Sequence, residues 1–219
     1  MNTKPLNIVF CLPGSNYSGN FLTSWTYLQK VCYQRNINLL LSQRSSCNIY
    51  YVRSMCLGGQ AVLGKHQKPF GGKIDYDYLM WIDSDIVFNP DDFFRLLNHN
   101  LDIVSGLYLT ESGNSYATVK DWDVETYKKN GRFDFLKKDF KNDKKLFEVS
   151  YTGFGFILIK KGVFEKIEYP WFKPRFIEMD HIREFTMEDV TFCLEAKEKG
   201  FKIMIDPNVI VGHEKRLIL

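Results

Sequence analysis

Asp83-Ser84-Asp85 is the tripeptide of this 219-residue chain with the most obvious capacity for chemistry. It follows Tyr78-Leu79-Met80-Trp81-Ile82, an apolar run that reads as a strand buried on both faces. Residues two apart in extended backbone point the same way, so both carboxylates can face one ligand. Paired oxygen donors suit a hard divalent cation such as Mg2+ or Mn2+ held together with phosphates. Open α/β sheets bind ligands at the carboxyl ends of their strands. The competing role for these acids is to cap the next helix, but Asn89-Pro90-Asp91-Asp92 already supplies a cap, a proline and a first acidic turn.

Two other segments carry groups of the right kind. Thr186-Met187-Glu188-Asp189 opens a helical stretch; a carboxylate there can accept a hydroxyl proton, and Thr-x-x-Asp is equally a capping-box pattern. Gly153-Phe154-Gly155 interrupts an apolar strand, as expected where a ligand or another backbone comes close, or where a core strand bulges.

The elements that must position these groups alternate regularly through the first half. Leu6–Leu12 reads as a strand ended by Pro13-Gly14-Ser15, Phe21–Tyr33 as a helix with its stripe at Phe21, Trp25, Leu28 and Cys32, and Ile37–Leu41 as a second buried strand. Tyr50–Leu63 reads as a helix weakened by Gly58-Gly59. A helix from Asn89 to about His99, packing through Phe93, Phe94 and Leu97, precedes a strand over Leu101–Tyr108. From Thr110 to Glu148 no helix-length stripe survives, which predicts hairpins and loops. One strand then spans Phe147 to Lys160, followed by a short helix near Val163, a helix over Met187–Lys199 and a strand over Lys202–Ile205. This pattern predicts an α/β fold with a mixed, mainly parallel central sheet flanked by helices and a loop-rich insertion. We expect a single domain over residues 1–219.

Composition narrows the function classes. With 29 Lys+Arg against 26 Asp+Glu, a net charge of +3, the chain lacks the concentrated basic field of a nucleic-acid binder. Lys137, Lys138, Lys141, Lys144 and Lys145 alternate with Asp139, Asp143 and Phe140 and read as a solvated face. No apolar run reaches the roughly 20 residues of a transmembrane helix. The five cysteines show no CxxC spacing and sit among apolar neighbours, so they read as reduced core residues of a cytoplasmic protein. Asn16-Tyr17-Ser18 fits a glycosylation sequon and reads as loop chemistry. Trp122, Trp171 and Phe172 lie in irregular segments, where a ring either stacks on a sugar face or packs a loop.

An apolar strand ending in Asp-x-Asp, with the Glu188-Asp189 pair downstream, resembles the GT-A nucleotide-sugar-dependent glycosyltransferases over nearly the whole chain. The resemblance is nearest to small family-2-like members, including those encoded by large DNA viruses of algae. It implies a nucleotide-sugar donor, with UDP-sugars favoured, and a hydroxyl of a glycan, glycoprotein or lipid as acceptor, with residues 1–109 as the nucleotide-binding half and residues 110–219 as the acceptor and catalytic half. It places Pro13, Gly14 and Ser15 beside the base or ribose and gives Arg53 a nucleotide contact. It makes Asp83, Asp85 and His213 ligands of Mn2+ or Mg2+, with Asp83 contacting ribose or a metal-bound water, and puts Ser84 with the two acids in the donor-binding set. It sets Gly153 and Gly155 under the donor sugar and Lys215 with Arg216 near the diphosphate. Asp189 becomes the base of an inverting transfer, with Glu188 as its substitute. The sequence has Met-Glu-Asp where many members have Thr-Glu-Asp, and retaining enzymes share the Asp-x-Asp and the His.

Two other readings stay open. Asp83-Ser84-Asp85-Ile86-Val87 fits the opening motif of haloacid-dehalogenase-type phosphatases, although two strand-helix units precede it here. A GT-A-like domain that binds nucleotide or glycan without turnover would also carry these residues. A nucleotidyltransferase is disfavoured, since no glycine-rich loop followed by Arg and Lys ends the first strand.

Overall fold

The computed structural model describes residues 4–141 and 143–215. Arg216 lies outside them. The first half runs β1 (Leu6–Pro13), α1 (Gly19–Gln34), β2 (Ile37–Arg44), α2 (Ile49–Cys56), β3 (Tyr78–Ile82), β4 (Ile86–Val87), α3 (Pro90–Asn98) and β5 (Ile103–Leu107). The second half adds β6 (Thr118–Val119), α4 (Val124–Asn130), β7 (Phe147–Val149), β8 (Tyr151–Thr152) and β9 (Phe156–Lys160). It ends with β10 (Phe176–Met179), β11 (Ile182–Phe185), α5 (Glu188–Glu198), β12 (Ile203–Ile210) and β13 (Gly212–His213).

Seven strands form the central sheet in the order β2-β1-β3-β9-β5-β12-β7. The β2, β1, β3, β5 and β12 strands run one way; β9 and β7 run against them. The sheet is therefore mixed and mainly parallel. Alternation along the strands splits the core into two layers. Val9, Cys11, Leu79 and Trp81 face the layer that holds Phe154, Phe164, Phe172 and Phe192. Ile8, Phe10, Met80 and Ile82 face the layer of Phe21, Leu28, Phe93 and Phe156.

Local chemistry sets the helix starts. The Ser18 hydroxyl accepts the Phe21 N–H at 3.0 Å, and Asn48 Oδ1 accepts the Tyr50 N–H at 2.9 Å. At α3 Asn89 and Asp92 form the reciprocal capping box, with Asp92 Oδ2 accepting the Asn89 N–H at 2.9 Å. The Asn16-Tyr17-Ser18 segment thus serves as the entry to α1.

Several sequence expectations need correction. The helix expected over 50–63 ends at Cys56, because Gly58 adopts a φ of +72° and turns the chain away. The β2 strand lies at the sheet edge with Leu41 exposed, and so is not fully buried. The single strand expected from 147 to 160 is broken into β7, β8 and β9, and the segment near Val163 is a turn rather than a helix. The insertion contains one short helix, α4, and β12 runs five residues past its expected end. Four cysteines are buried as expected, but Cys47 is exposed. Trp171 and Phe172 are core residues that pack the layer around Trp81, and Trp122 stacks on Phe133 with centroids 3.7 Å apart.

Candidate functional site

Sheet direction decides which ends meet. Ile82 at the end of β3 pairs with Phe156 at the start of β9, because β9 is reversed. The segment before β9 therefore lies at the same edge as the segments after β1, β3 and β5. The Asp83 N–H donates to the Gly155 carbonyl at 3.0 Å, tying the two segments together. Beyond β12 the chain forms the β13 ladder with β4, pairing His213 with Ile86, and the Glu214 N–H donates to the Asp85 carbonyl at 2.8 Å. A residue 128 positions downstream is thus delivered to the Asp-x-Asp turn by backbone pairing.

Asp85 and His213 converge there. Asp85 Oδ2 lies 3.1 Å from His213 Nε2 and 2.8 Å from Lys215 Nζ. Burial opposes ionisation of Asp85, but the hydrogen bonds from His213 and Lys215 outweigh it and hold its pKa down to about 2. The hydrogen bond to Asp85 raises the His213 pKa. His213 Nδ1 sits 2.6 Å from the Leu109 carbonyl, which accepts its proton and leaves Nε2 to face Asp85. An imidazole fixed through its far nitrogen, beside a carboxylate, is a donor pair suited to a divalent cation that draws its remaining ligands from phosphate oxygens and water. Among the described residues no group of three or more His, Cys, Asp or Glu encloses a metal unaided.

Asp83 is held differently. Arg53, projecting from α2 and only 3% exposed, donates from Nη1 and Nη2 to both Asp83 oxygens, at 2.9 and 3.0 Å. Its Nε donates to Glu188 Oε1 at 2.9 Å. One guanidinium thus joins α2, the end of β3 and the first turn of α5, resting near the Phe154 ring at 5.2 Å. Burial alone would lower the Arg53 pKa; the charges of Asp83 and Glu188 reverse this and raise it. Both Asp83 oxygens and one Glu188 oxygen therefore accept from an internal fork that uses three of the five Arg53 N–H groups.

Asp189, next in sequence, takes no part in the fork. Its Oδ2 accepts the Tyr151 hydroxyl proton at 2.9 Å, and its Oδ1 accepts the Val190 N–H at 2.8 Å. Burial and the neighbouring Glu188 charge push its pKa up to about 7. Thr186 does not cap α5: its hydroxyl accepts the Arg175 N–H and pairs with Thr191. Met187 holds the cap position without a side-chain bond. The capping-box alternative for this motif is therefore not realised.

Two cavities flank the Asp-x-Asp turn. One of about 300 Å³ lies against Pro13, Gly14, Cys47, Val52 and Asp83. The other, about 370 Å³, opens between Ser18, Glu214 and Lys215; Ser84 and Asp85 border both. Gly14 has a φ of +132°, and a Cβ there would lie 2.7 Å from Ser84 Oγ, so the β1 and β3 turns meet only because this residue is glycine. Ser15 is exposed and outside both linings. Gly153 and Gly155 stand under the Tyr108 ring. Sequence reasoning assigned no role to Tyr108 or Tyr151, although a tyrosine at a strand end and one beside the paired glycines were the available signals.

No family model matches the chain, and no curated protein matches it. Its structure is similar to that of A197 from STIV, with a TM-score of 0.54 at 19% identity over 98% of this chain and 96% of that one. It is also similar to GalNAc-T7 solved with UDP, GalNAc and Mn2+, with a TM-score of 0.55 at 11% identity. That match covers 99% of this chain but 45% of GalNAc-T7. The fold is GT-A-like, as the Asp-x-Asp at the end of an apolar strand led us to expect.

Proposed function

We propose that the protein is a metal-dependent glycosyltransferase that moves a sugar from a nucleoside-diphosphate donor, with UDP-sugars favoured, to a hydroxyl of a glycan or glycoconjugate. The observation that carries this reading is the convergence of Asp85 and His213 at the carboxyl edge of a GT-A-like sheet, with Asp189 adjoining Glu188, which Arg53 ties to Asp83. Asp85 and His213 would hold Mn2+ or Mg2+, which when bound neutralises the leaving diphosphate. The nucleoside occupies the cavity lined by Pro13, Gly14 and Val52, and Asp83, fixed by Arg53, faces its ribose. Lys215 lends its ammonium to the phosphate oxygens. Asp189 takes the acceptor proton as the acceptor oxygen attacks the anomeric carbon and the bond to diphosphate breaks, inverting the centre. Glu188 is locked to Arg53, which supports Asp189 over Glu188 as the base. The same fork argues against Asp83 as a phosphatase nucleophile. No described helix is long and apolar enough to cross a membrane. The unpaired cysteines, four of them buried, support a reducing compartment such as the cytoplasm.

The test is a thermal-shift and hydrolysis panel of nucleoside diphosphates and nucleotide-sugars with and without Mn2+. Metal-dependent stabilisation by UDP, with slow donor hydrolysis, is the expected result. No response to any nucleotide would end this reading, and binding without turnover across donors and acceptors would leave a binding domain only.

A further inference from the structure

Tyr108, the first residue after β5, occupies the space between the groups described above. It is 8% exposed, and its ring meets the His213 ring edge-on with centroids 5.3 Å apart. Its hydroxyl accepts the Gly155 N–H at 3.1 Å. Among the described residues no acceptor takes the proton of that hydroxyl, although it lies within electrostatic reach of both Asp83 and Asp189.

The glycines explain how the ring reaches this position. A Cβ at Gly153 would fall 1.9 Å from the Tyr108 hydroxyl oxygen, and one at Gly155 would fall 2.7 Å from the adjacent ring carbon. Those separations are inside van der Waals contact, so any larger residue at either position would displace the ring. The paired glycines therefore form a slot for a tyrosine side chain, and it is that side chain that fills the space a sugar on bare backbone would need. A buried hydroxyl with one bond accepted and its own proton unspent is a costly arrangement unless something supplies an acceptor.

We infer that Tyr108 is a specificity-determining residue of the donor-sugar subsite, presenting its hydroxyl proton to an oxygen of the sugar on a nucleotide-sugar, and that Gly153 and Gly155 are glycine to admit it. This rests on the donor-site reading proposed above and goes further by naming which side chain contacts the sugar. The ligand feature recognised is a hydroxyl or carbonyl oxygen of the transferred sugar, not the nucleotide.

Calorimetric titration of the full chain with UDP and with a panel of UDP-hexoses in Mn2+ separates the two levels. For the wild type we expect one UDP-hexose to bind more tightly than UDP. In Tyr108→Phe that increment falls about tenfold, the value of one neutral hydrogen bond, while UDP affinity stays within about twofold. An unchanged increment in Tyr108→Phe overturns the assignment, as does a wild type that binds UDP but gains nothing from any sugar. A wild type that binds neither removes the donor-site reading and the assignment with it. If Tyr108→Phe does not fold, Gly153→Ala decides, because it displaces the hydroxyl without deleting it. Loss of the increment with UDP binding retained supports the assignment, and a retained increment rejects it.

Discussion

Asp85 and Asp189 differ in environment, and so in what they can do. Asp85 is held ionised by His213 and Lys215, which suits a charge-binding role. Asp85→Ala should abolish Mn2+-dependent UDP affinity measured by calorimetry, and undiminished affinity would remove Asp85 from the ligand set. Asp189, pushed up to about 7, is poised for proton transfer near neutrality. Asp189→Asn should leave donor binding intact and lower turnover by about 10²- to 10⁴-fold. In the wild type the rate should rise with pH through about 7 as the carboxylate ionises, and reach a plateau above it. Product NMR showing a retained anomer would exclude Asp189 as the acceptor base.

At the scale of elements, Arg53 is the joint between α2, β3 and α5. Arg53→Ala leaves two carboxylates without their counter-charge in a buried setting and should cost about 3–5 kcal/mol in urea denaturation. A loss under 1 kcal/mol would mean the fork is dispensable. Much of this joint was legible in sequence only in pieces. The apolar run Tyr78–Ile82 followed by two acids announced its position, since both the strand and its end are local properties. The direction of β9 was not legible, because Phe-Ile-Leu-Ile-Lys is equally apolar whether its neighbours run with it or against it. The partnership of Arg53 with Glu188, 135 residues apart, depends on tertiary folding that brings α2 beside the first turn of α5, on which helical periodicity is silent. The meeting of His213 with Asp85 was expected only through the family resemblance; its physical cause, the β4–β13 ladder, is two residues long on each strand and too short to recognise by pattern.

For the whole molecule, two carboxylates, Asp206 and Asp189, bias stability in opposite directions with pH. Burial resists ionisation of Asp206, but bonds from His99, Asn208 and Arg95 outweigh it and hold its pKa to about 2. Its contribution is therefore present above the ordinary carboxylate pKa and disappears as pH falls through about 2. Asp189 has a folded pKa above its unfolded value, so the folded state binds the extra proton and loses stability as pH climbs from about 4 to about 7. Urea midpoints should decline between pH 5 and pH 8 for the wild type and decline less for Asp189→Asn. Equal slopes would show that Asp189 is not the residue titrating.

The reversed β9 strand also has an architectural outcome. Chain leaving at Tyr108 re-enters at Gly155 beside it, joined by the Gly155 N–H to Tyr108 bond, so everything between is an excursion whose two feet are pinned together. Within it, the described residues of 121–146 give the core a single buried apolar side chain, Leu136. The α4 helix there carries its own start, with Asp123 accepting the Glu125 and Thr126 N–H groups. A segment so lightly rooted can be exchanged for another of different length while the sheet beneath stays put, which makes it the natural graft point of this fold.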